Sequence, residues 1–345
     1  MSVLTKCREP ACRLSVIVPV DLERRPVDLI RKLAYLVNHR DASYLQFVIA
    51  HNNRGTLFDK VLARYLARRT NVTLVSAPFY PGPVNSSLLR NRAVEASRAD
   101  ILLLLDADLV PDQDLFLRCA EQIASGARNL LILPCLYLSR KGTQRYLSQK
   151  ETKETLYRRF LAFEREPFLH IASPSSVMFM KRSDYWKVGG FDERFTGHGY
   201  EDFDFMVRLA VELGSFKPTA DLLDDIVCRA PLLAGGFRKY LGRLSLPHFL
   251  DQEFVLHLHH AKKSREDYYQ RRISNRTYFM EKNKSMAHGR RRISETSLIE
   301  DFFRMCQARS LSTREYSILF DNRPGHVDRV RPVYKKIGRL ASVLR

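Results

Sequence analysis

Ile101-Leu102-Leu103-Leu104-Leu105-Asp106-Ala107-Asp108 is the stretch from which the rest of this chain is read. A continuous apolar run of this length, closed off by charge at both ends, predicts a strand buried on both faces of a parallel sheet. The run ends in two carboxylates. In open α/β sheets ligands sit beyond the carboxyl ends of the strands, so Asp106 and Asp108 are expected where substrate chemistry takes place. Alternate residues of an extended end point to opposite faces, whereas a turn starting at Ala107 would converge both carboxylates on one hard cation. The same pattern also fits a plain turn or helix cap, because Pro111-Asp112 follows and can start a helix.

Upstream, Leu14 to Val20 reads as a first strand and Leu45 to Ala50 as a second, which ends in His51-Asn52-Asn53-Arg54-Gly55. Val72 to Ser76 is a third. Between them Val27, Ile30, Ala34 and Val37 repeat at helical spacing, Leu57 to Leu66 forms a second helix, and Ser86 to Ser97 a third. Strand and helix alternate up to Asp106, which predicts a doubly wound, mainly parallel sheet with right-handed crossovers. No Gly-x-Gly-x-x-Gly follows the first strand, which argues against dinucleotide binding.

Downstream, Asp112 to Ser125 and Glu151 to Glu164 have helical patterns, while Leu130 to Leu138 and Ser175 to Met180 are strand-like. A glycine-rich stretch, Val188-Gly189-Gly190-Phe191-Asp192-Glu193, continues through His198-Gly199-Tyr200 into Glu201-Asp202-Phe203-Asp204 at the head of a helix. Glycines let backbone approach a ligand closely, and the helix dipole favours carboxylates at that position whether or not they are catalytic.

The chain has 345 residues, of which 45% are hydrophobic, enough for one large core with an extension or for two modest domains. No apolar run approaches the roughly 18 residues of a membrane-spanning helix, and Met1 to Pro10 lacks a signal-type apolar segment. Six scattered cysteines without paired metal spacing lead us to expect reduced thiols in a cytoplasmic protein. The net charge is +19 and is concentrated in Gly236 to Arg345, which holds 24 Lys and Arg against 11 Asp and Glu. Such a segment is either a solvated face or a site for an anionic partner: a membrane surface, an acidic polymer or nucleic acid.

Several of these motifs occur together. Ser-Val-Ile-Val-Pro at the first strand, Leu89-Arg90-Asn91-Arg92-Ala93, Asp106-Ala107-Asp108, Gly189-Gly190-Phe191-Asp192-Glu193, Glu201-Asp202-x-Asp204 and the later His257-Leu258-His259-His260 form one set. Over roughly Leu14 to Lys284 the chain resembles a family 2 glycosyltransferase of the GT-A fold, similar to enzymes that build bacterial capsule and chondroitin-type polymers. The resemblance implies transfer of a sugar, with inversion, from a nucleotide diphosphate sugar of the UDP type, with a divalent metal as cofactor. It implies donor contacts from Pro19, Val20, Asn52, Arg90 and Asp106, and metal ligation by Asp108, His257 and His260. Imidazole beside carboxylate suits Mn²⁺ better than Mg²⁺. Asp202 is the expected base that takes the acceptor hydroxyl's proton, with Glu201 holding acceptor hydroxyls, and Gly189, Gly190, His198, Gly199 and Tyr200 lining the acceptor side.

The chain departs from the family pattern at His198-Gly199-Tyr200, where relatives have Trp-Gly-Gly. It departs again at Asn52, where an Asp commonly reads the nucleobase, and at His259, where an aromatic is frequent.

The expected organisation is a leader over 1–13, a catalytic domain over 14–235 and a basic, mainly helical extension over 236–345. Within the extension Lys262-Lys263-Ser264-Arg265, Arg271, Arg272, Arg276, Lys282 and Lys284 interleave with Tyr268, Tyr269, Tyr278 and Phe279, as a donor-gripping lid would. Val333, Ile337, Leu340 and Leu344 share one face of a basic terminal helix suited to anionic lipid at the inner face of the plasma membrane. The expected acceptor is a glycan or lipid-linked glycan, with anionic character allowed by the charge. Two other readings stand beside this one: a nucleotidyl or sugar-phosphate transferase, and a non-enzymatic protein that binds polyanions such as nucleic acid.

Overall fold

The structure, a computed structural model, describes residues 14–38, 44–228, 230–261, 267–288 and 296–321. Lys262-Lys263-Ser264-Arg265, the 1–13 leader and the terminal helix expected around Val333 to Leu344 lie outside these residues. The chain packs as two compact units that interleave in sequence. The first draws on 1–132, 176–220 and 261–290, the second on 133–175, 221–260 and 291–345.

The first unit begins as strict alternation of strand and helix: β1 (Leu14–Asp21), α1 (Pro26–Val37), β2 (Leu45–Asn52), α2 (Leu57–Leu66), β3 (Val72–Ala77), α3 (Ser86–Glu95) and β4 (Ile101–Leu104). Then come α4 (Gln113–Ala124) and β5 (Leu130–Ile132). Helix starts are set by local chemistry. Thr56 and Asp59 form a reciprocal capping box on α2, and the Asn85 and Asp112 side chains accept from the third residues of α3 and α4. Leu102, Leu103 and Leu104 are fully buried, each contributing roughly 2 kcal/mol of burial.

The run Leu130 to Leu138 is two strands, not one. Pro134 has no N–H to give a ladder, so pairing stops there. β5 stays with the first unit and β6 (Cys135–Leu138) opens the second. Helices α5 (Arg140–Leu147) and α6 (Lys153–Leu161) follow, then β7 (Phe168–Ala172). The chain returns to the first unit with β8 (Met178–Lys181), α7 (Arg182–Lys187) and α8 (Glu201–Glu212). The second unit resumes with α9 (Phe237–Leu250) and β9 (Val255–His257), the first with α10 (Asp267–Gln270), α11 (Arg272–Lys282) and α12 (Lys284–Ala287), and the second with α13 (Leu298–Ala308).

The first unit's sheet runs β3-β2-β1-β4-β8-β5, with β1 parallel to both β2 and β4 and only β8 antiparallel. The mainly parallel α/β sheet expected from sequence is thus present. Strand order reverses between β1 and β4, so the carboxyl ends of these two strands border the crevice where such sheets bind ligands. The second unit has a three-stranded sheet, β7-β6-β9, and an aromatic core in which Tyr157 stacks on Phe254 and Phe160 meets Phe249 edge-on. Among the described residues no helix is long and apolar enough to cross a membrane. Cys119, Cys135, Cys228 and Cys306 are free thiols.

Candidate active site

A turn after β4 separates the environments of its two carboxylates. Asp106 is 38% exposed; it accepts from Arg90 Nη2 at 3.0 Å and from Ser176 Oγ at 3.2 Å. Asp108 is buried and accepts from Arg25 Nη2 at 2.8 Å and from Lys32 Nζ at 2.7 Å. Hard oxygens at a strand end fit a divalent cation in donor chemistry. Asp106 offers an oxygen held only by a hydroxyl, whereas Asp108 would ligate in competition with Arg25 and Lys32.

At the neighbouring strand ends, Pro19 and Val20 lead into Asp21, which collects Arg54, the Tyr80 hydroxyl and the Asn52 amide. Asn52 is fully buried: its amide nitrogen donates to Asp21 Oδ2 and to the Tyr80 carbonyl, and its oxygen accepts from Tyr80 N. The side chain therefore shapes the loop from Ala77 onward. Burial outweighs the Asp59 partner and holds His51 below the usual histidine range.

Arg90 sits at the centre of the site. Its guanidinium is buried against the Phe191 ring and reaches two carboxylates, Asp106 and, at 2.8 Å, Asp202. The contact with Asp202 is an ion pair set off the line of a hydrogen bond. Burial opposes the charge on Arg90, yet Asp202 and Asp106 together hold its proton more tightly than usual. The next residue, Asn91, fastens the glycine loop: its oxygen accepts from Phe191 N and the Tyr185 hydroxyl, and its amide donates to Phe191 O and Glu193. Gly190 has φ +66°, and a Cβ there would stand 2.8 Å from Asn91 Oδ1. Only glycine suits that position.

Tyr200 caps α8 in the left-handed region at φ 72°, an uncommon backbone for a bulky residue. The strained residue aims Glu201 and Asp202 from the first turn of α8. Burial, and then the Asp202 charge, push the Glu201 carboxyl well above its usual range; its Oε2 is buried and has no hydrogen-bond partner among the described residues. Burial likewise raises Asp202, with Arg90 opposing, while its side chain keeps 25% exposure. A raised, accessible carboxylate is a better proton acceptor than an ordinary one, and a buried oxygen without a donor calls for a ligand hydroxyl.

The acceptor-side residues expected from sequence are held by α10 and α11. His198 N donates to Tyr268 O at 2.9 Å, and a Cβ on Gly199 would meet Arg272 Nη1 at 2.5 Å. Arg272 itself stacks over the Tyr200 ring. Across from them, Arg24 of the β1–α1 loop lies over Tyr268 and Tyr269, at 4.1 Å and 4.7 Å. Burial, followed by the charges of Glu201 and Asp106, raises the Tyr268 hydroxyl far above its usual value. Lys282 bridges Asp192 Oδ2 at 2.7 Å and Asp204 Oδ2 at 2.8 Å. The basic residues Arg272 and Lys282, read from sequence as a grip on the donor, here hold Tyr200 and two carboxylates.

Within the first unit, the structure therefore brings together Arg90, Asp106, Glu201, Asp202 and the Gly189–Gly190 loop, with His198, Gly199 and Tyr200 beside them. His257 and His260 belong to the second unit. There His257 stacks on Tyr137, which stacks in turn on His170, at 4.1 Å and 4.2 Å between ring centres. Sequence reading missed Arg24, Arg25, Lys32 and Ser176, none of which stands in a motif. It quoted Asn91 inside one without assigning it a task.

A family model described as glycosyltransferase like family 2 matches residues 16–285. No curated protein matches the chain. Among solved structures it is similar to S. aureus TarS 1–349, with TM-score 0.38 and 16% identity over 57% of this chain and 55% of that one. It is also similar to the same TarS fragment in complex with UDP-GlcNAc, with TM-score 0.38 and 14% identity over 57% and 53%. The chain thus spans little more than half the length of these structures.

Proposed function

The chain belongs to the glycosyltransferase-like family 2, and on that premise we propose that it transfers a sugar from a nucleotide diphosphate sugar, of the UDP type, to a hydroxyl of a surface glycan with inversion at the anomeric carbon. The observation that carries this reading is the Arg90 bridge between Asp106 and Asp202, which ties the carboxylate at the donor end of β4 to the candidate base on α8.

Asp202 takes the acceptor hydroxyl's proton as that oxygen bonds to the anomeric carbon, and the bond from that carbon to the diphosphate oxygen breaks. Glu201, protonated at neutral pH by its burial, orients a second acceptor hydroxyl through its partnerless oxygen. Arg90 keeps Asp202 ionised and placed. Tyr200 and His198 line the acceptor side, and Tyr268 with Arg24 closes over it against water.

A bound divalent metal, Mn²⁺ in preference to Mg²⁺, would neutralise the departing diphosphate as a Lewis acid. Asp106 and Asp108 are the residues of the first unit that would hold it. The sequence resemblance adds His257 and His260 to the proposed ligand set. Our reading extends to a capsule or lipid-linked acceptor and to action at the cytosolic face of an anionic membrane, supported by the +19 charge.

The test is release of nucleotide diphosphate from UDP-, GDP- and dTDP-sugars with Mn²⁺, Mg²⁺ or EDTA. Release from one donor that needs metal and is lost in Asp108→Ala and Asp202→Asn is the expected result. Equal release with EDTA refutes the metal; full transfer by Asp202→Asn refutes the base.

A further inference from the structure

Asp100, just before β4, and Ile101, its first residue, lie at the end of the sheet away from the reacting carboxylates, Asp100 roughly 20 Å back along the chain from Asp106 at strand rise. Here α4 and α7 border a hollow of about 880 Å³, lined by Asp100, Leu117, Glu121, Lys181, Ser183 and Trp186 among others. A volume of that order lies within the range of small-ligand sites, roughly 300–1,000 Å³. The mechanism uses none of these residues.

Two features set the hollow apart. Trp186, the only tryptophan of the chain, is 39% exposed on its wall. Next to it the side chains of Asp100, Glu121, Lys181 and Ser183 have no hydrogen-bond or ion-pair partner among the described residues, although both signs of charge line one hollow. By contrast, Asp106, Asp108 and Asp202 of the active site are each ion-paired.

Arg182 also lines the hollow, with one guanidinium nitrogen donating to the Ser97 carbonyl, so a ligand that satisfies this lining must offer donors to two carboxylates and acceptors to two cations and a hydroxyl, and must carry an apolar face for the indole. A polyanion is repelled by Asp100 and Glu121, a polycation by Lys181 and Arg182, and the two signs balance in favour of a neutral ligand. A sugar ring meets every requirement: its hydroxyls both donate and accept, and its C–H face stacks on an aromatic. We propose that this hollow is a second carbohydrate site, which takes neutral sugar units of a glycan chain at a distance from the reacting carboxylates. The ligand class rests on the reading that the acceptor is a glycan.

Because Trp186 is the sole indole, its emission reports the wall of this hollow; its ring also borders Gly190, so the Asp202→Asn variant separates a response that comes from the acceptor side. The full chain is titrated with maltotetraose, cellotetraose and N-acetylchitotetraose, with calorimetry in parallel. A saturable change in emission with at least one of them is expected. Binding should weaken about tenfold in Glu121→Gln or Asp100→Asn, vanish in Trp186→Ala, and persist in Asp202→Asn. Thermal unfolding of each variant checks that it is folded, and Trp186→Phe, which keeps a ring, should retain calorimetric binding. The proposal is overturned if no oligosaccharide changes the emission, if binding survives in Trp186→Ala, or if it is lost in Asp202→Asn. Donor cleavage measured on the same samples separates the two readings. Cleavage without binding defeats the second site alone; binding without cleavage defeats the transferase reading and leaves the site.

Discussion

Replacing Arg90 by methionine keeps most of the side-chain volume and removes the one cation shared by Asp106 and Asp202. At an effective dielectric of about 20, Coulomb attraction is ~6 kcal/mol at the 2.8 Å of the Asp202 pair and ~5.5 kcal/mol at the 3.0 Å of the Asp106 pair. The second figure is discounted for solvent screening because Asp106 is 38% exposed. Desolvating the guanidinium costs several kcal/mol in return, so the net loss expected for Arg90→Met is about 3–5 kcal/mol near neutral pH.

The loss should depend on pH in a direction that can be worked out. Burial already raises the Asp202 carboxyl, and without Arg90 it rises further. The folded variant then binds more protons than the unfolded chain above the ordinary Asp range, so its stability falls as pH rises. Urea denaturation followed by circular dichroism at pH 5 and pH 8 measures both numbers, and the gap between wild type and variant should be wider at pH 8. A loss below about 1 kcal/mol, or one equal at the two pH values, would refute the bridge as the organising charge of the site.

Two further outcomes follow from the same electrostatics. Glu201 is held protonated in the fold, so the wild type loses stability as pH climbs from the ordinary Glu value through the raised one. Glu201→Gln should be the more stable protein by about 1–3 kcal/mol at pH 8 and nearly equal at pH 4.5, read by the same denaturation. Lys282→Met leaves Asp192 and Asp204 without their shared cation and should cost about 2–3 kcal/mol, less than a fully buried pair because Arg208 still holds Asp204. Amide exchange over 272–282 should speed up, and adding Asp192→Asn should restore part of the loss; no recovery in the double variant would show that the bridge is incidental.

The fold was legible where local chemistry suffices. The buried leucine run of β4, the alternation ahead of it, and the helix start at Asp112 are all determined within a few residues. Arg90, Asp106, Glu201 and Asp202 could be singled out because each stands in a short motif, and they lie together. What escaped depends on separation along the chain. Lys282 meets Asp192 and Asp204 across 90 and 78 residues, and Lys32 meets Asp108 across 76. No periodicity announces such pairs. Asn52 shows a different limit: its residue type suits a ligand amide, but only the coordinates show that Asp21 and Tyr80 already occupy it. Pro134 was visible, and its effect needed only the missing N–H, yet the apolar run on both sides of it concealed the switch from one sheet to another.

The interleaving of the two units bears on how the chain comes off the ribosome. β1 to β4 and their helices can assemble as soon as they emerge, but β8, which covers the far side of β4, is delayed by the 133–175 stretch that belongs elsewhere. Glu201 and Asp202 arrive later still, and the clasp that Lys282 puts on Asp192 and Asp204 comes after another detour through 221–260. Until that lysine is available, Asp192 has only Arg194 and Asp204 only Arg208 as counter-charge among the described residues, and nothing ties the two carboxylates to each other. The candidate site is therefore among the last parts to set, and a nascent chain that has passed Lys181 but not yet Lys282 carries all six strands of the sheet without that clasp.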